Sequence, residues 1–175
     1  GDGGFRPLAL SNNAEKPRPG RSQFLTEFEY VGTGDYTAFL TIPEAIRVMG
    51  GMLPGGWPEV MRHNHDLCLR GRDIICGELG IQPPAPDSMI GSICTMILPP
   101  HPPALRERLM KRRSVYHDAL QDEVLQNWGV QVPFWGLAGK PERFVRISAQ
   151  VYNSVEEYKH LARAVKAALE REGGM

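Results

Sequence analysis

The stretch RFVRISAQV, residues 143–151, limits the fold of this chain more than any other part of the sequence. It alternates between apolar and polar residues, as a β-strand with one buried face does. Ser154 and Glu157 then follow in the S-x-x-E spacing of a capping box, which begins an α-helix. The apolar residues of that helix recur every three or four positions as far as Leu169. The sequence therefore predicts a strand followed closely by an amphipathic terminal helix.

Arg146 stands in the middle of the predicted strand. Alternation places Val145, Ile147 and Ala149 on the face that packs against helices, and Arg146 on the other face. An unpaired guanidinium is costly to bury, so Arg146 must face a less apolar surface. Two interpretations remain open. The arginine can hold a ligand carboxylate through two parallel hydrogen bonds, or it can form an ion pair with an acidic side chain of the same protein.

The rest of the sequence predicts several short elements. The predicted helices are 43–49, 57–79, 102–113 and 119–128, and the further predicted strands are 89–99 and 130–135. Gly80 and Gly129 are placed to end two of the helices, and Asp118 to cap one. Because the connections are too short for a doubly wound sheet, the order predicts an α+β fold: a two-layer arrangement in which helices cover a small, mostly antiparallel sheet. Residues 1–23 are expected to form a mobile arm or linker, and residues 24–35 alternate briefly before a glycine turn.

Composition excludes several classes of function. The formal net charge is zero, and no basic face points to nucleic acid or an anionic membrane as a partner. No apolar run approaches the ~20 residues that a membrane span needs, and the first residues lack the pattern of a signal peptide. The three cysteines form no C-x-x-C pair, so we expect buried thiols and a cytoplasmic protein.

Other candidate residues carry less weight. The HNH triplet at 63–65 lies within a predicted helix, where adjacent residues point about 100° apart and cannot share a metal ion with neighbouring ligands. The isolated histidines are expected at the surface: His101, His117 and His160. Three sulfur-containing residues are expected in the core: Met89, Cys94 and Met96. Trp128 and Trp135 flank the short strand and are expected to pack there or to line a cleft.

Three segments together resemble a known family. VRISAQVYNSVEEY, EFEYVGTGDYTAFLTIPEAI and GSICTMILP are similar to the C-terminal half of the class V aminotransferase family of pyridoxal-phosphate enzymes, in its isopenicillin N epimerase-like branch. The similarity runs from about Phe28 to about Leu169. It implies the C-terminal small domain of a fold-type I pyridoxal-phosphate enzyme over residues 56–175. Residues 1–55 would then be the end of the large cofactor domain.

The resemblance also implies roles for three residues. Arg146, in the R-x-S motif, would bind the α-carboxylate of an amino-acid substrate. Thr33 would donate to the phosphate of pyridoxal phosphate, typically across the interface of a homodimer, and Gly32 would let the backbone come close. In such enzymes the cofactor is an electron sink for the carbanion formed at Cα, and the protein orients the bond that breaks.

One departure from the family pattern is important. These enzymes hold the cofactor on a lysine of the large domain, and none of the five lysines here lies in the expected context. We therefore expect a C-terminal fragment that is inactive alone and has exposed apolar surfaces that favour self-association. The absence of cysteine between Ser114 and Val145 argues against a desulfurase and leaves epimerase, lyase and aminotransferase chemistry open. Two alternatives are a non-catalytic α+β module that binds a small carboxylate or a protein partner, and a regulatory remnant that pairs with a full-length homologue.

Overall fold

The computed structural model describes residues 19–29, 32–116, 118–137 and 142–174. The chain divides into two compact units, residues 1–47 and residues 48–175. Most of the expected N-terminal arm lies outside the described residues, as does His117. That residues 1–55 belong to a large domain and residues 56–175 to a small one stays a prediction.

The first unit contains short helices. They are α1 (Gln23–Phe28), α2 (Thr37–Leu40) and α3 (Ile42–Gly50), which begins in this unit. Although the sequence alternates after residue 23, α1 forms there because the Ser22 hydroxyl accepts a hydrogen bond from the Leu25 amide at 3.2 Å and caps the helix. Pro43 lies at the second position of α3, where its missing N–H costs nothing.

The second unit holds one sheet and four helices among its described residues. Its elements are α4 (Gly56–Leu79), a one-turn 3-10 helix (Asp87–Met89), β1 (Ile93–Ile97), α5 (Pro103–Met110), α6 (Ala119–Trp128), β2 (Phe134–Gly136), β3 (Arg143–Ser148) and α7 (Val155–Gly173). The strands lie in the order β1-β3-β2, and both pairings are antiparallel. The α+β prediction is confirmed.

The core lies between the sheet and the helices α4 and α7. Val145 and Ile147 of β3, and Ala149 directly after it, are buried, as the alternation predicts. Cys94 pairs with Ile147 and Met96 pairs with Val145 across β1 and β3, so these side chains share the inner face. The inward stripe of α7 completes this core; its buried members are Tyr158, Leu161, Ala162, Val165, Ala168 and Leu169.

The glycine and capping signals predicted for the helix ends are confirmed. Gly80 and Gly129 end α4 and α6 at φ values of 65° and 66°, in the left-handed region that favours glycine. The Asp118 carboxylate caps α6 by accepting from the Leu120 amide at 2.9 Å. Ser154 and Glu157 form both hydrogen bonds of the capping box that begins α7.

One detail of the core prediction is wrong. Met89 is 75% exposed, because it lies on the 3-10 turn before β1 rather than in the strand. In the first turns of α4, Trp57 and Met61 are 40% and 66% exposed, whereas Val60 between them is buried.

In the part of the chain that the structure describes, no helix combines the length and apolarity that crossing a membrane requires.

Candidate functional site

A cleft of about 630 Å³ opens beside the second half of β3. Its walls are residues 128–133, which connect α6 to β2, residues 146–148 of β3, and the first two turns of α7. This volume lies within the ~300–1,000 Å³ range of small-molecule sites. Arg146, the predicted carboxylate-binding residue, lines the cleft.

Arg146 is exposed, whereas its neighbours Val145 and Ile147 are buried. Strand alternation therefore aims its guanidinium away from the helix-covered core. Within the described residues, no carboxylate oxygen lies within 4.0 Å of a nitrogen of this guanidinium. The internal ion pair, one of the two interpretations of this arginine, is not formed by the carboxylates that the structure describes.

The neighbouring arginine on β3, Arg143, does form such an ion pair. Its guanidinium donates to Asp118 Oδ2 at 2.8 Å, to Asp118 Oδ1 at 2.7 Å and to Glu172 Oε2 at 2.7 Å. Glu172 also contacts Arg112 at 3.2 Å and His101 at 3.1 Å. Burial alone would lower the pKa of Arg143, but the hydrogen bonds that it donates to Asp118 and Glu172 raise the pKa above its ordinary value. The expectation that His101 is a surface residue is wrong, since it closes this cluster.

The cleft exists because strand pairing ends at Pro133. β2 pairs with residues 143–145 of β3 only, and the next bond joins the Arg146 amide to the Pro133 carbonyl at 3.3 Å. Proline has no N–H to return, so the 129–132 segment leaves the strand edge. Behind the gap, the Tyr158 hydroxyl donates to the Ser148 carbonyl at 2.8 Å.

An aromatic pair forms the wall at the end of α6. His160 Nε2 lies 3.1 Å from the Trp128 carbonyl oxygen, and the two rings meet edge to face at 5.6 Å. A carbonyl oxygen only accepts, so Nε2 carries the hydrogen in this contact. His160 is half-buried and lines the cleft, so the surface expectation for it is wrong. Its position on α7 lies outside the regular apolar stripe, and the sequence carried no signal for it.

The outer face of the sheet around Arg146 carries several apolar side chains beside the polar Thr95 and Ser148. Trp135 and Phe144 stack with ring centroids 5.8 Å apart. Ile93 and Ile97 of β1 are about half exposed on the same face, in register with Ser148 and Phe144. Charge on an apolar surface is more weakly screened than charge in open water, so a guanidinium here is well placed to attract an anion.

The other two predicted site residues lie in the first unit. Gly32 has a φ of 126°, which side-chain-bearing residues rarely adopt, so its conformation alone requires glycine. Thr33 is exposed. Both precede α2 in a stretch without regular structure.

The lysines that the structure describes do not suit covalent attachment of a cofactor in the cleft. Lys111, Lys159 and Lys166 are each paired with a glutamate, at 2.9, 2.7 and 2.9 Å, and none lines the cleft. Lys16 and Lys140 lie outside the described residues. The described His, Cys, Asp and Glu side chains form no cluster of three or more able to hold a metal ion, and residues 63–65 lie within α4.

The chain is distantly similar to three curated proteins. It is 28% identical to an isopenicillin N epimerase of Amycolatopsis lactamdurans over 167 residues, which cover 93% of this chain and 37% of that protein. It is 28% identical over 148 residues to a probable chloroplastic L-cysteine desulfhydrase of Arabidopsis thaliana, covering 84% of this chain and 30% of that protein. An L-cysteine desulfhydrase of the same plant is 25% identical over 152 residues, covering 79% and 32%.

The chain therefore spans about a third of the length of these relatives. No protein-family model matches it. An epimerase of the branch that the motifs resemble is among the relatives, and the shared length agrees with the expectation that this chain corresponds to one part of such a protein.

Proposed function

We propose that this chain is the C-terminal part of a pyridoxal-phosphate-dependent enzyme of the isopenicillin N epimerase and class V aminotransferase type, acting on an amino acid. The observation that carries the proposal is Arg146, which lies in an open cleft without a carboxylate partner among the described residues. The names of the relatives support it, because two of them are named for the amino acid L-cysteine and the third is an isopenicillin N epimerase. The proposal covers epimerase, lyase and aminotransferase chemistry alike.

In this proposal Arg146 binds the α-carboxylate of the substrate. A guanidinium offers two parallel N–H groups that match the two oxygens of a carboxylate. Its backbone is held on one side by β1, because Thr95 pairs with Arg146 in the antiparallel register. A rigid strand restricts where the fork can point, which is what a substrate-orienting residue needs.

Gly32 and Thr33 would serve the phosphate end of the cofactor. A hydroxyl donor such as Thr33 suits a phosphate oxygen, and the left-handed backbone at Gly32 provides the turn that presents it. As in the family that the sequence resembles, we expect this contact to cross a homodimer interface. Nucleic acid and membrane are not among the expected partners.

The residues of this chain fit the carboxylate and phosphate ends of such a site but not the attachment of the cofactor. The described lysines are ion-paired at the surface, away from Arg146. We therefore expect this chain alone to be inactive and to hold no pyridoxal phosphate, and we derive no chemical step from it. The cysteines Cys68, Cys76 and Cys94 are buried and unpaired, which supports a reducing compartment such as the cytoplasm.

A chimera tests this proposal. We would join the N-terminal two-thirds of the Amycolatopsis epimerase to this chain and purify the protein with added pyridoxal phosphate. We expect a bound chromophore near the visible edge whose spectrum changes on addition of an amino acid. Arg146→Gln should keep the chromophore and weaken the amino-acid response at least tenfold, because one bidentate charged pair is lost.

Arg163→Gln is the matched control, since Arg163 is an exposed arginine of α7 outside the cleft. It should leave both the chromophore and the response unchanged. A folded chimera that stays colourless in excess cofactor would overturn the proposal.

A non-catalytic module that binds a small carboxylate is the alternative. The observation in its favour is that the Arg146 cleft is formed by residues of the second unit alone. Titration of the isolated chain with L-alanine, followed by NMR, separates the two. If the isolated chain binds L-alanine and Arg146→Gln abolishes this binding, the result favours the module. If the isolated chain does not bind L-alanine, the result favours a part of a larger enzyme.

A further inference from the structure

The end of β3 behind Arg146 lacks a strand neighbour on the side of the cleft. In the antiparallel register of β2 and β3, Pro133 lies opposite Arg146, and Gln131 would lie opposite Ser148. The Arg146 amide still reaches Pro133, but in the described residues no backbone bond joins Gln131 to Ser148. On its other side this strand end is paired with β1, since Ile93 lies opposite Ser148 and the Ala149 amide donates to the Ser92 carbonyl at 2.7 Å. Only the cleft-side edge is open, and a strand end paired on one side frays more readily than one paired on both.

A single hydroxyl takes the place of the missing strand. The Ser148 carbonyl accepts its hydrogen bond from Tyr158 Oη at 2.8 Å. The Tyr158 ring is 5% exposed and lies on the inward stripe of α7. Burial raises the pKa of Tyr158 to about 12, so the hydroxyl keeps its proton at neutral pH and remains a donor.

The helix on the other side of the core leaves room for this ring. A Cβ at Gly71 of α4 would come within 2.8 Å of Tyr158 Cδ1, closer than such atoms approach, and within 3.1 Å of Ile147 Cδ1, which is a tight contact. Gly71 is buried inside a 24-residue helix, where glycine is intrinsically unfavourable by about 1 kcal/mol relative to alanine. The space that it provides is occupied by the ring that holds the end of β3.

We propose that Tyr158 is a positioning residue for Arg146: its hydroxyl replaces the absent strand partner at Ser148, and Gly71 makes the space that its ring needs. This proposal rests on the proposed function in one respect: it takes Arg146 as the residue whose side-chain direction must be fixed for substrate binding. Arg146 and Ser148 are two residues apart on one strand, so disorder at Ser148 reaches the backbone from which the guanidinium projects. Tyr158 thereby keeps the cleft open and the arginine fixed at the same time.

Residue-resolved hydrogen exchange of the isolated chain tests the positioning without any ligand. In Tyr158→Phe, which keeps the ring and removes the donor, we expect exchange of the amides of residues 146–149 to accelerate about five- to tenfold, the effect of one net hydrogen bond. The amides of residues 143–145, which pair with β2, should change less than twofold. Tyr152→Phe is the control, since Tyr152 is 78% exposed, and it should change neither group.

Two results would overturn the proposal. An equal acceleration in both halves of β3 would show that the hydroxyl only adds to global stability, and no acceleration would show that the hydroxyl does not hold this strand end.

Gly71→Ala supplies a second test, because the new methyl must displace the Tyr158 ring. It should accelerate amide exchange at residues 146–149 as Tyr158→Phe does. Gly77→Ala on the same helix meets no atom within 4 Å and should leave them unchanged. If the two alanine variants behave alike, Gly71 has no part in holding the ring.

Ligand binding separates this proposal from the proposed function. In the epimerase chimera, at a temperature where all variants are folded, Tyr158→Phe should weaken the L-alanine response three- to tenfold, and Tyr152→Phe should not. Localised exchange changes in a chimera that never responds to an amino acid would remove the proposed function and leave the positioning intact. A Tyr158→Phe chimera that binds L-alanine as tightly as the parent would remove the positioning.

Discussion

Arg143 and Arg146 lie three residues apart on the same strand and have opposite surroundings. Arg143 is on the inner face, where Asp118 and Glu172 take up its charge at 2.7 Å each. Arg146 is on the outer face and lines an open cleft. Odd spacing along a strand reverses the face, so one residue type receives two roles from position alone.

The difference teaches where to look for function on a sheet with one covered face. Glu172 is 1% exposed and Asp118 also caps α6, so the carboxylates around Arg143 belong to the packing of the helix ends. A buried charge that is fully paired has no capacity left for a ligand. A guanidinium without a carboxylate partner among the described residues, in contrast, can bind an external anion.

The largest expected effect comes from removing each arginine in turn. Arg143→Met leaves Glu172 and Asp118 with fewer partners in a buried site, and we expect the free energy of unfolding to fall by ~3–5 kcal/mol. Arg146→Met, at an exposed position, should change it by no more than ~0.5 kcal/mol. Urea unfolding followed by circular dichroism at neutral pH measures both. Equal losses in the two variants would remove the distinction between a structural and an available arginine.

A smaller effect sharpens the comparison from the side of the carboxylates. Asp118→Asn keeps a residue that caps helices well but removes the charge paired with Arg143, and should cost ~1–2 kcal/mol in the free energy of unfolding. Glu156→Gln, at the α7 wall of the cleft, removes an exposed pair with Lys159 and should cost less than ~0.5 kcal/mol. The same urea experiment applies. A loss in Asp118→Asn as small as in Glu156→Gln would mean that Asp118 acts on α6 only as a cap.

Local signals in the sequence were enough to predict most elements of the second unit. Alternation placed Val145 and Ile147 inside, and the glycine and capping signals placed the ends of α4, α6 and α7. These features depend on neighbours within a few residues, which periodicity and capping chemistry read directly. The short helix α1 was missed because one serine cap outweighed a brief alternation.

The sequence did not reveal features that depend on distant contacts. The cluster around Glu172 joins α7, β3, the cap of α6 and the segments on either side of α5, and the pairing of Arg143 with Asp118 spans 25 residues, so no local pattern predicts it. The role of Arg146 in binding a substrate carboxylate came from a motif resemblance, and the structure adds that this residue lines a cleft. The part played by Pro133, Tyr158 and Gly71 required the strand register and the helix packing together.

Alkaline pH gives the smallest expected effect, and it distinguishes the two halves of β3 along the chain. The pKa of Tyr158 is raised by burial to about 12, against about 10 in the unfolded chain, so above pH 10 the unfolded state loses this proton first and stability falls as pH rises toward 12. At pH 10.5 the Tyr158 part of that loss is about 0.8 kcal/mol.

Burial also raises the pKa of Cys68 to about 11, which lowers stability in the same direction as pH rises. The Tyr158 part is therefore the difference between the unfolding free energies of the parent and Tyr158→Phe, measured in urea from pH 8 to 10.5. The raised pKa of Arg143 keeps the inner ion pairs charged over this range, so the amide protection factors, which are corrected for the intrinsic rise of exchange with pH, should fall at residues 146–149 before residues 143–145. If both halves of the strand open together, or if Tyr158→Phe loses stability with pH as steeply as the parent, the hydroxyl does not hold the open end of β3.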